Sequence, residues 1–490
     1  MFASVNSVAL VGVEPQAVKV EVHVGSGMPA FCLVGLPDTA VREAKERVRA
    51  ALASTGYTFP ARRVTVNLAP ADLPKAGSAY DLPIALGLLA ASGEVPPGAS
   101  GVVALGELAL DGTVRPAPGG LAAGLVARSL DLPCVLSEQS ASEASLVQGA
   151  QVRSVSSLAE AVAAALGELL RGPKPVTPAA NSPAGGDLSE VRGQLVARRA
   201  LEVAATGGHH LLLWGPPGGG KTMLARRLPG ILPELDEAEA LEVAQAWAAA
   251  GRPRPSMGGP PFRGPHHTAT LPAIVGGGTG VPVPGELTLA HRGVLFLDEL
   301  GEFPPRLLDA LRQPVEEGWV TIARRGGTVS FPCAVQLVAA TNPCPCGYLG
   351  DRMLACRCTP STLDRYRRRL SGPFLDRFDL RVAVPRLARH QLDGSPGEPS
   401  GAVRSRVIAA RAQQAERGRL NRELDRSELD AMTWDREARR LLGQAVERLG
   451  LTARGWDRVR RVARTVADLA GSEGIGADHV GEALSYRGEL

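Results

Sequence analysis

The segment HHLLLWGPPGGGKTMLARRL runs without interruption from an apolar β-like stretch through a glycine-rich turn into a helix-compatible stretch. Within it Gly215, Pro216, Pro217, Gly218, Gly219, Gly220, Lys221 and Thr222 fit the pattern G-x-x-x-x-G-K-[ST]. Glycines let backbone N–H groups approach phosphate oxygens, a lysine reaches the outer phosphates, and the threonine hydroxyl can ligate Mg²⁺. A glycine-rich turn without a ligand is the competing account, and the flanking strand and helix weigh against it. A strand feeding a helix through such a loop belongs to a parallel-sheet α/β domain.

Downstream, VLFLDE reads as a buried strand closing on Asp298 and Glu299. Successive strand residues point to opposite sides. One carboxylate can therefore serve the Mg²⁺ shell while its neighbour orients and deprotonates water; we assign Asp298 to the metal and Glu299 to the base. The next apolar run, CAVQLVAATNP, ends at Asn342, where a central parallel strand would deliver it to a terminal phosphate. A turn-forming Asn before Pro343 explains the same residue, although order along the chain favours the first reading. On local sequence alone, Arg377 in FLDRFDL and Arg454 in LTARGWDRVRR could each be an ordinary surface arginine, the default reading.

A chain of 490 residues exceeds the roughly 250 to 300 that one core supports, so two or three domains are expected. The first, to about residue 170, mixes strand and helix. VKVEVHV at 18–24 alternates valine with polar residues, and Asp38 stands as an N-cap ahead of AVREAKERVRAAL. The stretch 171–189, rich in proline, glycine and small polar residues, reads as a linker. Residues 190–393 form the α/β core, and 394–490 a helical domain with apolar stripes at Ala438, Leu441, Leu442, Ala445, Leu449 and at Val459, Val462, Val466, Leu469. No stretch is long and uncharged enough to span a bilayer, and the expected location is the cytoplasm. Net charge is only +4, so any nucleic acid must be met by local arginine clusters.

Reduced cysteines that cluster point to metal. Cys344, Cys346, Cys356 and Cys358 supply C-x-C twice, enough thiolates for one tetrahedral Zn²⁺ site; four reduced cysteines in a surface loop are the alternative. Cys32, Cys134 and Cys333 sit in apolar runs and read as buried packing residues. Arg365, Arg367, Arg368 and Arg369 around Tyr366 could bind phosphates and stack on bases, or form a solvated helix face. WVTIARRGGTVSFPC reads as a hairpin with Arg324 and Arg325 at its turn, and FRGPHHTATLPAIVGGGTGVPVPGE as a mobile insertion rather than a packed element. His266 and His267 lack an acidic or cysteine partner at suggestive spacing, which favours a structural role.

GPPGGGKT, LFLDE, ATNP and LDRFD, in this order, resemble the AAA+ ATPases. The wording of GLPDTAVREAKERVRAAL, GELALDGTVRP, FRGPHHTAT, NPCPCGYLG and LTARGWDRVRRVARTVADL is closest to the magnesium-chelatase-like group that includes YifB and ComM. The resemblance covers nearly the whole chain. It implies a hexameric ring with ATP and Mg²⁺ between neighbours, Asn342 as sensor, Arg377 as a finger given in trans and Arg454 as a second sensor on a helical lid. It implies pore-lining insertions, with Arg324 and Arg325 suited to a phosphate backbone, and a motor acting on single-stranded or branched DNA by branch migration or helicase activity in recombination or natural transformation. A chelatase-type motor that remodels a protein partner is the alternative. The part from NLAPADLPKAGSAYDLPIAL to GELALDGTVRPAPGGLAAGL resembles the proteolytic domain of Lon. Ala79 and Ala122 stand where that family has its nucleophile and base, which argues against proteolysis. Ser78 and Lys75, close by, are the remaining route to such an activity.

Overall fold

The computed structural model describes residues 1–488 apart from 74, 76, 170, 175–184, 253, 255–257, 279–281, 325–326, 352 and 371. The middle of the expected linker and Arg325 thus lie outside the described residues. The chain forms two compact units, Met1–Ala179 with Ala240–Met257, and Ala180–Glu239 with Gly258–Leu490.

The first unit is built on β1 (Phe2–Val11), β2 (Glu14–Gly25), β3 (Ala30–Val34), β4 (Arg63–Ala69), β5 (Val103–Leu105), a small ribbon of β6 (Glu107–Leu108) and β7 (Val114–Arg115), then β8 (Cys134–Ser137) and β9 (Val152–Val155). Seven of these make one mixed sheet in the order β3-β4-β2-β1-β5-β8-β9. The alternation in β2 does what its period demands: Val18, Val20, Val22 and Val24 are buried. The helix Asp81–Ser92 is apolar nearly all round and buried, and it lies close on the sheet, since a Cβ on Gly87 would come within 2.8 Å of Val22 Cγ2. Asp81 enters this core as a carboxylate held by Arg47, with Nε at 2.6 Å and Nη2 at 3.0 Å. Asp38 caps the short helix Thr39–Arg42, accepting from Val41 N at 2.8 Å. Residues 240–257 add Leu241 and Ala244 to an apolar cluster with Leu121 and Val147.

Cys32 corrects the expectation of burial. It is exposed, because in β3 Phe31 and Leu33 pack on the core and the alternation turns Cys32 to the opposite face, whereas Cys134 and Cys333 are buried as expected.

The second unit carries an all-parallel sheet of β10 (Leu211–Trp214), β11 (Phe262–Arg263), β14 (Val294–Leu297), β17 (Gln336–Thr341) and β18 (Leu380–Ala383), in the order β11-β14-β17-β10-β18. Two antiparallel pairs are appended, β12 (Gly276–Gly277) with β13 (Val283–Pro284) and β15 (Trp319–Arg324) with β16 (Gly327–Pro332). The glycine- and proline-rich stretch is therefore not devoid of packed structure. It forms a short helix, Leu271–Val275, with Ile274 fully buried, and the β12–β13 pair. The helices Arg436–Leu449 and Ala453–Leu469 bury Ala438, Leu442, Val459, Val462 and Val466 in the same core as Ala197 and Leu201 of the helix Leu195–Gly207.

The register aligns the sheet's two edges. Trp214 pairs with Thr341 and Ala383, and Leu297 with Ala339. Parallel strands must then present their carboxyl-end loops together. At the opposite edge His210 accepts from Leu337 N at 2.9 Å, and its own N–H donates to Asp379 at 3.1 Å. Among the described residues no helix is long and apolar enough to cross a membrane.

Candidate nucleotide site

β10 runs into Gly215, whose N–H donates to the Thr341 carbonyl at 3.2 Å, and the chain turns through Gly218 (φ +78°) and Gly220 (φ +90°) into the helix Lys221–Ile231. Those dihedrals favour glycine, and nothing lies within 4 Å of a Cβ built on either residue. The Lys221 ammonium, 9% exposed, donates to the Gly215 carbonyl at 2.7 Å, the Pro216 carbonyl at 3.0 Å and Asn342 Oδ1 at 3.1 Å. Burial pulls its pKa down, against the opposing pull of Asp298 and Glu299.

Thr222 Oγ1 donates to Asp298 Oδ2 at 2.8 Å, so a hydroxyl and a carboxylate sit side by side where β14 ends. Glu299 follows with φ +52°, a conformation uncommon outside glycine. Its carboxylate meets His267, with Nδ1 to Oε2 at 3.4 Å. The structure thus brings together two hydrogen-bonded pairs, Lys221 with Asn342 and Thr222 with Asp298, joined through the adjacent positions 221 and 222, with Glu299 next to Asp298.

Three residues that pattern reading did not assign to the site belong to its frame. His267, expected to be structural, contacts the Glu299 carboxylate and stacks with His266 at 4.1 Å between ring centroids. Gln194 donates from Nε2 to the Gly219 carbonyl at 3.0 Å and the Pro385 carbonyl at 2.6 Å, tying the phosphate loop to the segment after β18. Tyr366 is the third, and it overturns an expectation. It is 6% exposed and its hydroxyl bonds Thr341 Oγ1 and the Asn342 carbonyl, each at 3.0 Å, so its ring is not free to stack on a base. Arg365, Arg367, Arg368 and Arg369 on the same helix are exposed.

Arg377 is 7% exposed; it donates to the Pro373 carbonyl at 2.6 Å and pairs with Glu316 at 2.9 Å. Arg454 is exposed near the start of the helix Ala453–Leu469. Arg324 pairs with Gly327 at the end of the β15–β16 ribbon, and Arg325 lies outside the described residues.

The four clustered cysteines converge. Cys344 Sγ lies 3.3 Å from Cys346 Sγ and 3.7 Å from Cys356 Sγ, Cys346 and Cys356 are 3.6 Å apart, and all four sulfurs fall within 4.8 Å of one another. The group could hold a metal ion. Backbone N–H groups of Tyr348 and Arg357 hold the Cys346 thiol below its usual range.

In the first unit Ala79 and Ala122 share one apolar cluster. Ser78 donates to Glu107, and buried Lys75 donates to the Pro70 carbonyl, so the two have separate partners.

Comparison with known families agrees with this geometry. Residues 187–392 match the model described as magnesium chelatase, subunit ChlI; residues 20–138 match subunit ChlI of Mg-chelatase, and residues 397–487 its C-terminal region. The chain is 44% identical to the competence protein ComM of Haemophilus influenzae, covering 99% of this chain and 97% of that one. It is likewise 44% identical to the uncharacterized protein YifB of Escherichia coli, over 99% and 96%. The chloroplastic magnesium-chelatase subunit ChlI-2 of Arabidopsis thaliana is 27% identical over 40% of this chain and 43% of its own. Full-length identity of this order, with the strand order and the loop geometry, places the chain in the YifB/ComM family of magnesium-chelatase-like AAA+ ATPases.

Proposed function

We propose that the protein is a ring-forming ATPase that couples ATP hydrolysis to the remodelling of DNA, by branch migration or helicase activity in recombination or natural transformation. The observation that carries the nucleotide half is the convergence of Lys221, Thr222, Asp298 and Asn342 at the carboxyl edge of one parallel sheet. A Mg²⁺–ATP complex suits these residues. Gly218 and Gly220 leave open space over the loop, Thr222 and Asp298 offer adjacent hard oxygens, and Lys221 is a buried cation paired only with neutral acceptors. Bound there, magnesium would neutralise phosphate charge.

The chain's own residues then divide the work. Lys221 and the loop N–H groups bind the phosphates, and Thr222 and Asp298 hold the cation. Glu299, at the rim, orients a water and takes its proton, while His267 steadies the carboxylate. Asn342 reads the terminal phosphate. Arg377 acts on a neighbouring subunit's site of a hexamer, and to do so it must leave Glu316. Arg454 approaches from the C-terminal helices, which act as a lid.

The DNA half is supported by the name of the competence relative and by the exposed arginines at 365, 367 and 368. The first unit, read as a Lon-like domain whose nucleophile and base positions are Ala79 and Ala122, serves as a binding or assembly platform. The chelatase descriptions of all three matching models favour a second reading, a motor that remodels a protein partner. Steady-state ATPase assays with single-stranded, duplex and branched DNA, and with an unfolded polypeptide, separate the two. Stimulation by DNA is expected. Stimulation by polypeptide alone ends the DNA reading.

A further inference from the structure

The geometry points to a closed four-thiolate Zn²⁺ site at Cys344, Cys346, Cys356 and Cys358 whose bound ion acts as a strut, holding Asn342 and the phosphate loop in register. A single tetrahedral ion about 2.3 Å from each sulfur sets the sulfurs about 3.8 Å apart. The 3.6 and 3.7 Å separations sit at that spacing and the 3.3 Å one lies just inside it, all too long for a disulfide, with the Cys358 sulfur within 4.8 Å of the other three. An iron–sulfur cluster, which interposes several atoms between its cysteines, would need them farther apart. Four sulfurs and no histidine or carboxylate select a soft or borderline ion, and a tetrahedral S₄ set with no open position is a structural site. Without an ion, this cluster of thiols has only weak donors and acceptors to hold it.

What the ion would hold is adjacent. Cys344 follows Asn342 by two residues, so fixing its sulfur fixes the end of β17. Gly347, at φ +84°, lies against the phosphate loop so closely that a Cβ there would come within 2.6 Å of Pro217 Cδ. Asp351 caps the rest of the cysteine loop, accepting from Met353 N at 2.7 Å and Leu354 N at 2.9 Å. The Tyr366 helix begins at Pro360, just beyond Cys358, and returns to Asn342 through the tyrosine hydroxyl. The cysteine loop is thereby joined to the site from both of its ends.

The claim about turnover rests on the nucleotide reading above; the claim of metal binding does not, and the experiment keeps them apart. Full-length protein is purified under reducing conditions and its metal content measured by elemental analysis and by chelator release, beside Cys356→Ser/Cys358→Ser and Gly347→Ala. We expect about one zinc per wild-type chain, less than about a tenth of that in the double-serine variant, and full zinc in Gly347→Ala. Cobalt reconstitution of wild type should give the visible bands of tetrahedral thiolate coordination. Both variants should lose about tenfold or more in kcat, the order expected when a positioning group is displaced, with nucleotide affinity less affected. Absence of stoichiometric zinc in reduced wild-type protein, even after zinc is supplied, overturns the site. Stoichiometric zinc in wild type with unaltered turnover in both variants overturns the strut. Loss of nucleotide binding by Lys221→Ala with zinc retained is expected; wild-type protein that binds zinc but no nucleotide overturns the functional reading alone.

Discussion

Replacing Tyr366 by phenylalanine removes a single oxygen from the wall of the site and asks whether that residue is a clamp or a base-stacking platform. The hydroxyl sits 3.0 Å from Thr341 Oγ1 and 3.0 Å from the Asn342 carbonyl. A net hydrogen bond contributes about 0.5–1.5 kcal/mol, whereas a buried group left without any partner costs about 1–3 kcal/mol. The smaller figure applies, because Thr341 Oγ1 and the Asn342 carbonyl also lie within 3.2 Å of each other and can pair without the tyrosine. The ring remains, filling the space beside Gly301, where even a Cβ would come within 2.5 Å of the tyrosine oxygen. Tyr366→Phe should therefore destabilise the second unit by about 1 kcal/mol, close to 2 °C in Tm for a unit of this size. Because the carbonyl it releases belongs to Asn342, kcat should fall severalfold with nucleotide affinity unchanged. Calorimetry, steady-state ATPase assays and anisotropy with labelled DNA read the three quantities. An unchanged Tm and kcat accompanied by weakened DNA binding would show the ring on a base and refute the clamp.

Glu299→Gln should bind ATP as wild type does and turn over at least about a hundredfold more slowly, the usual scale for losing a general base; normal hydrolysis would remove the base assignment. Arg377→Ala should abolish hydrolysis alone and regain part of it when mixed with Lys221→Ala subunits, since each supplies what the other's interface lacks; mixtures that stay inactive at all ratios would count against a trans role. His210 predicts the acid limb of stability. Burial, followed by the charge of Arg422, pulls its imidazole down to about 3, against about 6.5 when unfolded. A folded pKa lowered in this way leaves stability intact above about pH 6.5 and erodes it as pH falls toward 3, by up to about 1.4 kcal/mol per pH unit. His210→Asn, which keeps an acceptor for Leu337 N, should flatten the loss of denaturation midpoint between about pH 6 and 4, and an unaltered slope would contradict the assignment.

What pattern reading recovered and what it missed divide along a physical line. The phosphate loop was legible because strand, turn and helix are contiguous, and glycine is required where φ reaches +78° and +90°. Asp298 and Asn342 were legible because parallel strands deliver their last residues to one edge, so order along the chain stands in for distance. The cysteines announced themselves by composition and paired spacing.

The remainder depends on tertiary contacts that leave no periodic trace. His267 finds its acid only because Glu299 turns into a left-handed conformation at the end of β14. Tyr366 looks like an aromatic among arginines, yet every arginine around it faces water while the ring packs where Gly301 makes room, so helical geometry separates two properties that the sequence places side by side. Cys32 follows the same logic in reverse. Its apolar neighbours suggest a core strand, but Phe31 and Leu33 take the core-facing positions of β3, the alternation turns Cys32 to the opposite face, and which face is covered is not written in the strand itself. The residues most open to misreading are thus those whose role is to couple separate elements around the nucleotide site, and those are the ones where substitution should change turnover more than binding.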